Sequence, residues 1–210
     1  MSIFRFERVA KDDPRMAELF RLRYQVYCVE RGFESPEDHP NGLEFDEYDQ
    51  YSSHFCAVAI RTGKIIGTIR IVHDSPIGLP IERYCELDAE TKFSGNPQRV
   101  GEISRLAISK DFKRREKDKA IHAAAGVDLI EDNHLYKERR AFEGRIVAGL
   151  QQCVYQESPK LGLTHMYAAM SRGVFCLVSR WGVAWTKVGE QVEYHGLRGP
   201  YLAAVVPHKM

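Results

Sequence analysis

Hydrophobic and polar positions recur along the chain with two periods, which predict strands and helices in mixed order. Runs rich in branched and aromatic residues, bounded by turn residues, predict strands at 3–9, 54–61, 64–73, 99–109, 163–170, 186–189, 191–194 and 201–206. Thr62 and Gly63 form the predicted two-residue turn of a β-hairpin between the second and third of these strands.

Apolar residues at helical spacing predict four helices, at 14–31, 82–93, 142–158 and 171–180. Pro14 marks the first turn of the first helix, and Gly32 ends it. Ser171 caps the last helix. The resulting order predicts an α/β protein with a mixed, mostly antiparallel central sheet and helices on both faces. We expect a single domain over residues 1–210, with a variable basic insertion near 110–142.

Two charged residues interrupt the apolar pattern of the strand predicted at 99–109. Glu102 and Arg105 lie inside this strand, where a buried unpaired charge would cost several kcal/mol. A structural ion pair and a catalytic role both explain them. Residues three apart face opposite sides of a regular strand, so a shared cleft requires a bulge or a splay near Ile103 and Ser104.

Other charges occupy positions that the pattern predicts to be buried. Arg23 interrupts the apolar stripe of the first helix, where it either extends to solvent or bonds an acidic partner. Arg70 lies inside the strand at 64–73. Asp46 and Asp49 lie between Arg23 and Arg70 in a turn-rich acidic segment. This segment is either a solvated loop or a site whose carboxylates bind Arg23 or a substrate amine.

Composition excludes several classes of function. The formal net charge of +1 gives no field that would attract nucleic acid or a membrane surface, and no apolar run is long enough to span a bilayer. Five cysteines, an odd number with no C-x-x-C pair, argue against a disulfide scaffold or a zinc site and fit a reducing compartment. The charged N-terminus does not resemble a signal peptide, so we expect a cytoplasmic protein without a metal.

Several short motifs, in order, resemble the acyl-homoserine-lactone (autoinducer) synthases. They are LRYQVY at 22–27, Phe33, EFDEYD at 44–49, GTIR at 67–70 and EISR at 102–105. The segments YCVE at 27–30, GLEFD at 42–46 and VGEQVEYHGLRGPY at 188–201 make the chain more similar to the N-acyl amino acid synthases. Among these, it resembles the acyltransferases associated with PEP-CTERM/exosortase systems.

The resemblance implies a GCN5-related N-acyltransferase fold and one charged cluster at a cleft. Such an enzyme moves a long-chain acyl group from a thioester to an amine, giving an N-acyl amino acid. The implied catalytic residues are Glu102, Arg105 and Arg70, with Glu102 as the general base and the two arginines either positioning the acceptor carboxylate or ordering the acidic pair Asp46 and Asp49. The implied substrate-binding residues are Arg23, Tyr27, Phe33, Asp46, Asp49 and Ser104.

The implied donor is the acyl-phosphopantetheine of acyl carrier protein, with no tightly bound cofactor. The sequence after the strand at 99–109 lacks the glycine-containing loop with which related acetyltransferases bind coenzyme A. Lys113, Arg114 and Arg115 there form either a solvated surface or a dock for the acidic carrier protein. We expect an acyl tunnel lined by residues such as Ile103, Leu106, Phe175 and Trp181.

Three alternatives remain open. An autoinducer synthase would use S-adenosylmethionine, although Phe33 stands where those enzymes favour tryptophan. An acetyl-CoA-dependent acetyltransferase would bind CoA tightly. A non-catalytic carrier-protein or lipid-binding module would bind an acyl carrier without turnover.

Overall fold

The computed structural model describes residues 2–109 and 133–205 of the chain. The strands are β1 (Phe4–Val9), β2 (Ser52–Ala59), β3 (Ile65–His73), β4 (Val100–Ile108), β5 (His165–Met170), β6 (Thr186–Lys187), β7 (Val192–Glu193) and β8 (Leu197–Ala204). The α-helices are α1 (Met16–Tyr24), α2 (Pro80–Tyr84), α3 (Asn133–Glu157) and α4 (Arg172–Ser179). A π-helix (Gln25–Glu30) continues α1, and short 3-10 helices cover Pro36–Asp38, Asp49–Tyr51, Pro97–Arg99 and Pro159–Leu161.

The strands form one open sheet in the order β1-β2-β3-β4-β5-β8-β6, with β7 paired to β8. Strands β4 and β5 run parallel and the other neighbours run antiparallel, which confirms the predicted mixed, mostly antiparallel sheet. The β4–β5 ladder covers only Val100, Gly101 and Glu102 on the β4 side. The sheet is therefore open between the later parts of these two central strands.

Helices pack on both faces of the sheet, as predicted. On one face, Leu19 of α1 packs against Cys56 and Val58 of β2. On the other, Ile146 and Leu150 of α3 pack in a cluster that includes Phe55 and Ala57. Adjacent residues of a strand point to opposite faces, so β2 separates the two helices.

Several predicted boundaries of the helices were wrong. Helix α1 begins at Met16 rather than Pro14, because the Asp13 side chain accepts a bond from the Arg15 backbone and forms a turn first. Helix α2 covers Pro80–Tyr84 instead of 82–93. Helix α3 begins at Asn133 rather than 142, since its first turns are polar and carry little apolar periodicity.

The predicted two-residue turn of the hairpin was also wrong. Strand β2 ends at Ala59 and β3 begins at Ile65, so the connection is longer. The backbone N–H of Gly63 donates to the Ala59 carbonyl at 2.9 Å, with Gly63 at φ +68°. A bulge between Ala57 and Val58 changes the register at this end. Within the described ranges, no helix has the length and apolar character needed to cross a bilayer.

Candidate active site

A β-bulge in β4 brings its inward charges to one side. Arg70 of β3 pairs with Ser104 and Thr68 pairs with Ala107, so β4 has one extra residue over this span. Arg105 lies in the bulge with a left-handed backbone, φ 52°. The bulge reverses the alternation, so Arg105 can share a side with Glu102 despite the odd spacing. The irregularity predicted near Ile103 and Ser104 is therefore present, one residue later.

The opening between β4 and β5 leads into a cavity of about 500 Å³. Its polar wall is lined by Asp46, Glu47, Arg70, Glu102, Ser104, Arg105, Tyr194, His195 and Arg198. Its apolar wall includes Val26, Tyr27, Ile69, Ile103, Leu106, Val147, Met170, Val174, Leu177, Val178 and Trp185. A molecule with a charged head and a long apolar chain would match both walls.

Three arginines and three carboxylates form a closed ring of alternating charge beside the cavity, which we call the charged ring. Its members, in order of contact, are Arg23, Asp49, Arg70, Asp46, Arg105 and Glu44, and Glu44 closes onto Arg23. Their formal charges cancel, which lets so many ionised groups lie together with little exposure to water.

The contacts in the charged ring are short and often bidentate. Arg23 donates to both oxygens of Asp49, at 2.6 and 3.0 Å. Arg70 donates to both oxygens of Asp46, at 2.6 and 2.8 Å, and to Asp49 at 2.7 Å. Nε of Arg105 donates to Glu44 at 3.0 Å. Bidentate guanidinium–carboxylate pairs fix orientation as well as distance, so the charged ring is a rigid unit.

The acidic segment forms its half of the charged ring through local bonds. The backbone N–H of Asp46 donates to Asp49 Oδ2 at 2.8 Å, and Tyr48 N–H donates to Asp46 Oδ1 at 3.0 Å. The backbone N–H of Glu44 donates to the Phe20 carbonyl, which ties the segment to α1. The segment is thus an ordered part of the site, not a solvated loop.

The guanidinium groups keep two of the ring carboxylates, Asp49 and Glu44, ionised. Burial acts to raise the pKa of Asp49, but Arg23 and Arg70 hold that pKa well below its ordinary value. Burial likewise opposes ionisation of Glu44, yet Arg23 and Arg105 hold its pKa below the ordinary value. Neither carboxylate is therefore suited to accept a proton near neutral pH.

Glu102 lines the cavity but lies outside the charged ring. Its Oε2 accepts the backbone N–H of Ile81 at 2.6 Å, and its side chain is buried. Burial raises the pKa of Glu102 to about 7, although the Ile81 N–H, Arg70 and Arg105 act in the opposite direction. A carboxylate with this pKa can both accept and release a proton near neutral pH.

The predicted substrate-binding aromatics lie on the other side of Arg105. The Tyr27 hydroxyl donates to the Leu106 carbonyl at 3.1 Å, and Arg105 lies over the Tyr27 ring. The Phe33 ring stacks on His195 at 5.3 Å, and His195 stacks on Tyr194 at 4.3 Å. Ser104 accepts a bond from Arg70 Nε at 2.9 Å.

One face of α4 and one face of α3 line the apolar part of the cavity. Val174, Leu177 and Val178 of α4 are lining residues, as are Ile103 and Leu106 of β4. The expected lining residues Phe175 and Trp181 are not among those described along the wall, and Trp185 takes part instead. Phe175 points away and stacks on Tyr201 at 4.5 Å.

Two buried polar groups on this wall have no hydrogen-bond partner among the described residues. The first group is the side-chain amide of Gln151, with both its Nε2 and its Oε1, and the second is the indole Nε1 of Trp185. Gln151 follows Glu143 and Val147 at intervals of one turn on the face of α3 that lines the cavity. The buried Tyr155 hydroxyl, one turn further along α3, interacts with the Gln151 amide without a hydrogen bond of good geometry.

The structure places the predicted residues in two layers. Tyr27, Phe33, Asp46, Arg70, Glu102, Ser104 and Arg105 line the cavity. Arg23 and Asp49 lie behind that wall and bond to each other, so they support the lining charges from outside the cavity. Lys113, Arg114 and Arg115 lie outside the described residues.

Sequence reasoning did not single out several residues of the site. Glu44, which closes the charged ring, lies in the acidic motif at 44–49, of which only Asp46 and Asp49 were predicted as site residues. Glu34 pairs with Arg105 at 3.0 Å. Tyr194, His195 and Arg198 lie in the quoted motif at 188–201, and β7 and β8 bring that segment to the cavity. Motif membership was the available signal for four of these five.

Comparisons with known proteins agree with this fold. The acetyltransferase (GNAT) domain family matches residues 22–122. The fold is similar to the AHL synthase LasI, with TM-score 0.63 and 14% identity, over 97% of this chain and 90% of that chain. No curated protein sequence matches the chain.

Two further solved structures share the fold. One is FeeM, an N-acyl amino acid synthase from uncultured soil microbes, with TM-score 0.57, 15% identity and coverage of 96% of this chain and 90% of that one. The other is BjaI, a CoA-dependent acyl-homoserine lactone synthase, with TM-score 0.62, 16% identity and coverage of 91% and 76%. Residues 22–122 thus match the GNAT acetyltransferase domain, and the chain has the fold of the AHL and N-acyl amino acid synthases that its sequence resembles, which indicates an acyltransferase-type enzyme.

Proposed function

We propose that the protein transfers a long-chain acyl group from acyl carrier protein to the amine of an amino acid, giving an N-acyl amino acid. The observation that carries this proposal is the position of Glu102. Its buried carboxyl group, with a pKa of about 7, lines the same cavity as the charged ring and the apolar residues of β4, α3 and α4. That arrangement suits an amine at one end and an acyl chain at the other.

The proposed chemistry is aminolysis of a thioester. The Glu102 carboxylate accepts a proton from the acceptor ammonium or amine, directly or through one water, and the amine nitrogen attacks the thioester carbonyl. The tetrahedral oxyanion then collapses, the C–S bond breaks, and the donor leaves as a thiol after taking the proton that Glu102 accepted from the nitrogen. Backbone N–H groups freed where β4 parts from β5 are suited to stabilise the oxyanion.

The charged ring has a positioning role in this proposal. Asp46 lines the cavity and is the ring carboxylate best placed to attract the acceptor amine. Arg23, Asp49 and Glu44 hold Arg70 and Arg105 in place from behind. Tyr27, Phe33 and Ser104 are proposed to shape the walls around the reacting groups.

The proposal of a carrier-protein donor depends on the sequence after β4. A pantetheine attached to a carrier protein has one phosphate and does not need the glycine-containing loop that binds the pyrophosphate of CoA. Residues 109–115 contain no glycine, and Lys113, Arg114 and Arg115 offer positive charge to an acidic partner. Such a donor and a free amino acid meet in the cytoplasm, where we propose that the enzyme acts.

The decisive experiment incubates the protein with a panel of acyl-loaded carrier proteins and acyl-CoA, an amino-acid pool and S-adenosylmethionine. Products are identified by mass spectrometry. We expect a long-chain N-acyl amino acid that forms from the carrier-protein donors. A base-labile acyl lactone would assign the protein to the alternative, an autoinducer synthase. Consumption of acetyl-CoA alone would contradict the proposed donor, and binding of an acyl carrier without turnover would contradict an enzymatic role.

A further inference from the structure

Four arginines line the cavity, and two of them already have their carboxylate partners. They are Arg31, Arg70, Arg105 and Arg198. Arg70 bonds to Asp46, Asp49 and Ser104. Arg105 contacts Glu44, Asp46 and Glu34. The charge of these two groups is neutralised by the protein, so neither presents a free guanidinium to a substrate carboxylate.

Arg198 differs from them because no Asp or Glu of the described residues pairs with it. It is half-buried at the start of β8. Within the described part of the chain, its Nε and Nη2 donate hydrogen bonds only to the His195 carbonyl, at 3.4 Å, which is a long contact. A partly buried guanidinium with its hydrogen-bonding capacity largely unused favours an anion from outside the protein.

Aromatic rings fix the orientation of Arg198. Its guanidinium carbon lies 5.5 Å from the centre of the Phe33 ring and 6.0 Å from that of Tyr194. The turn before it, with His195 at φ 53° and Gly196 at φ 85°, returns the chain from β7 to β8 and sets the position of the side chain. Arg198 is thus held among the cavity walls, whereas Arg31 is exposed.

We propose that Arg198 binds the carboxylate of the acceptor, which makes it a specificity-determining residue for acceptors with a free α-carboxylate. The inference rests on the proposed function. Of the two roles expected from sequence for Arg70 and Arg105, it leaves them the ordering of Asp46 and Asp49 and assigns the acceptor carboxylate to Arg198. The acceptor lies with its carboxylate at Arg198 and its amine toward Asp46 and Glu102 on the same polar wall.

The test compares free α-amino acids with the matching amino acid carboxamides as acceptors, in transfer assays with the full chain. We expect Arg198→Gln to raise the KM for the acid by about 10- to 100-fold, the range for a charged hydrogen bond, and to leave kcat nearly unchanged. The KM for the carboxamide should not change. Arg198→Lys should restore part of the affinity for the acid, because it keeps the charge.

Arg31→Gln is the matched control, since it removes another arginine of the cavity wall. An equal loss for acid and carboxamide in Arg198→Gln would assign Arg198 a structural role and overturn the inference. A rise in the KM for the acid in Arg31→Gln, with no rise in Arg198→Gln, would also overturn the inference. Calorimetric binding of the same acids and carboxamides separates the two proposals. Arg198-dependent binding of acids without transfer contradicts only the proposed function, whereas transfer insensitive to Arg198→Gln contradicts only the inference.

Discussion

At the scale of single residues, the site separates two kinds of carboxylate by their surroundings. Asp49 touches two guanidinium groups and stays ionised, whereas Glu102 accepts one backbone N–H and lies in a drier environment. Burial therefore raises the pKa of Glu102 while the arginines lower that of Asp49. The same functional group therefore titrates differently at the two positions because its neighbours differ.

Glu102→Gln should reduce kcat/KM for acyl transfer by about 100- to 10,000-fold, since it removes the proposed general base. In the unsubstituted protein, kcat/KM should rise with pH around the Glu102 pKa of about 7, and this step should vanish in the variant. A pH–rate profile measures both. A variant that retained full turnover would exclude Glu102 as the base.

The stability of Glu102→Gln provides the control, because a loss of activity must be distinguished from a loss of folding. The folded pKa of Glu102 lies above its ordinary value of 4.5, so the stability that the group contributes is present below that value and is lost as pH rises through about 7. Glu102→Gln removes the cost of burying the ionised form. Its free energy of unfolding at pH 8 should therefore equal or exceed that of the parent protein.

Gln151→Leu should stabilise the unliganded protein by up to about 1 kcal/mol, because it replaces a buried amide, whose polar neighbour is the Tyr155 hydroxyl and which makes no hydrogen bond of good geometry, with an apolar side chain of similar size. Thermal unfolding measures the change as a higher Tm. Gln156→Leu, at an exposed position of the same helix, is the control and should change Tm little. A lower Tm for Gln151→Leu would mean that the amide has a partner in the folded protein.

At the scale of elements, the bulge in β4 and the gap beside it create the site together. The bulge turns Arg105 toward the charged ring, and the end of the β4–β5 ladder at Glu102 leaves the cavity open. Helix α4 closes the apolar side of this opening. Its length and spacing follow from an amphipathic pattern capped by Ser171, whose side chain accepts the Val174 backbone N–H.

Leu177→Phe should shorten the acyl chains that the enzyme accepts, because it adds volume to the α4 face that lines the cavity. Transfer activity should be measured with carrier-protein donors that hold acyl chains of increasing length. The activity should fall first for the longest chains. Cys176→Phe adds the same ring at the neighbouring, exposed position and should leave the length profile unchanged. An identical shift in both variants would indicate a general disturbance of α4.

At the scale of the whole molecule, the charged ring joins segments that are far apart in sequence. Arg23 comes from α1, the carboxylates come from 44–49, and Arg70 and Arg105 come from adjacent strands. Removing one member leaves the others buried and uncompensated. The stability of the fold and the order of the site are therefore linked.

Asp49→Asn should lower the free energy of unfolding at pH 7 by about 3–5 kcal/mol, since it leaves Arg23 and Arg70 without a shared carboxylate. Glu47→Gln, in the same segment but paired with Arg83 at the surface, should change it little. Denaturant titration of both variants provides the comparison. An equal loss in the free energy of unfolding for the two variants would contradict the stabilising role of Asp49 in the charged ring.

The same variant tests the pH dependence of stability. The folded pKa of Asp49 lies below its ordinary value of 3.8, so its contribution is present above that value and is lost as pH falls below it. The parent protein should lose stability steeply below about pH 4. Asp49→Asn, which has already lost this contribution, should show a shallower decline between pH 6 and pH 3.

Much of the fold could be predicted because local patterns carry it. Alternation and turn residues placed β1 to β5 to within a few positions, and the Ser171 cap placed α4. The boundaries of α1, α2 and α3 were missed where polar first turns or local Asp–backbone bonds compete with periodicity. Such competition depends on contacts that a single sequence does not reveal.

The sequence by itself determined where charge interrupts an apolar pattern, and at those positions Glu102, Arg70 and Arg23 are buried and Arg105 is largely so, because a lone buried charge is too costly to leave uncompensated. Only the tertiary structure decided how they pair. Glu44 closes the charged ring, Glu102 stays outside it with a raised pKa, and Arg198 stays without a carboxylate among the described residues. Pairing depends on distances of a few ångströms between segments that meet only when the sheet assembles, and local pattern does not specify those distances.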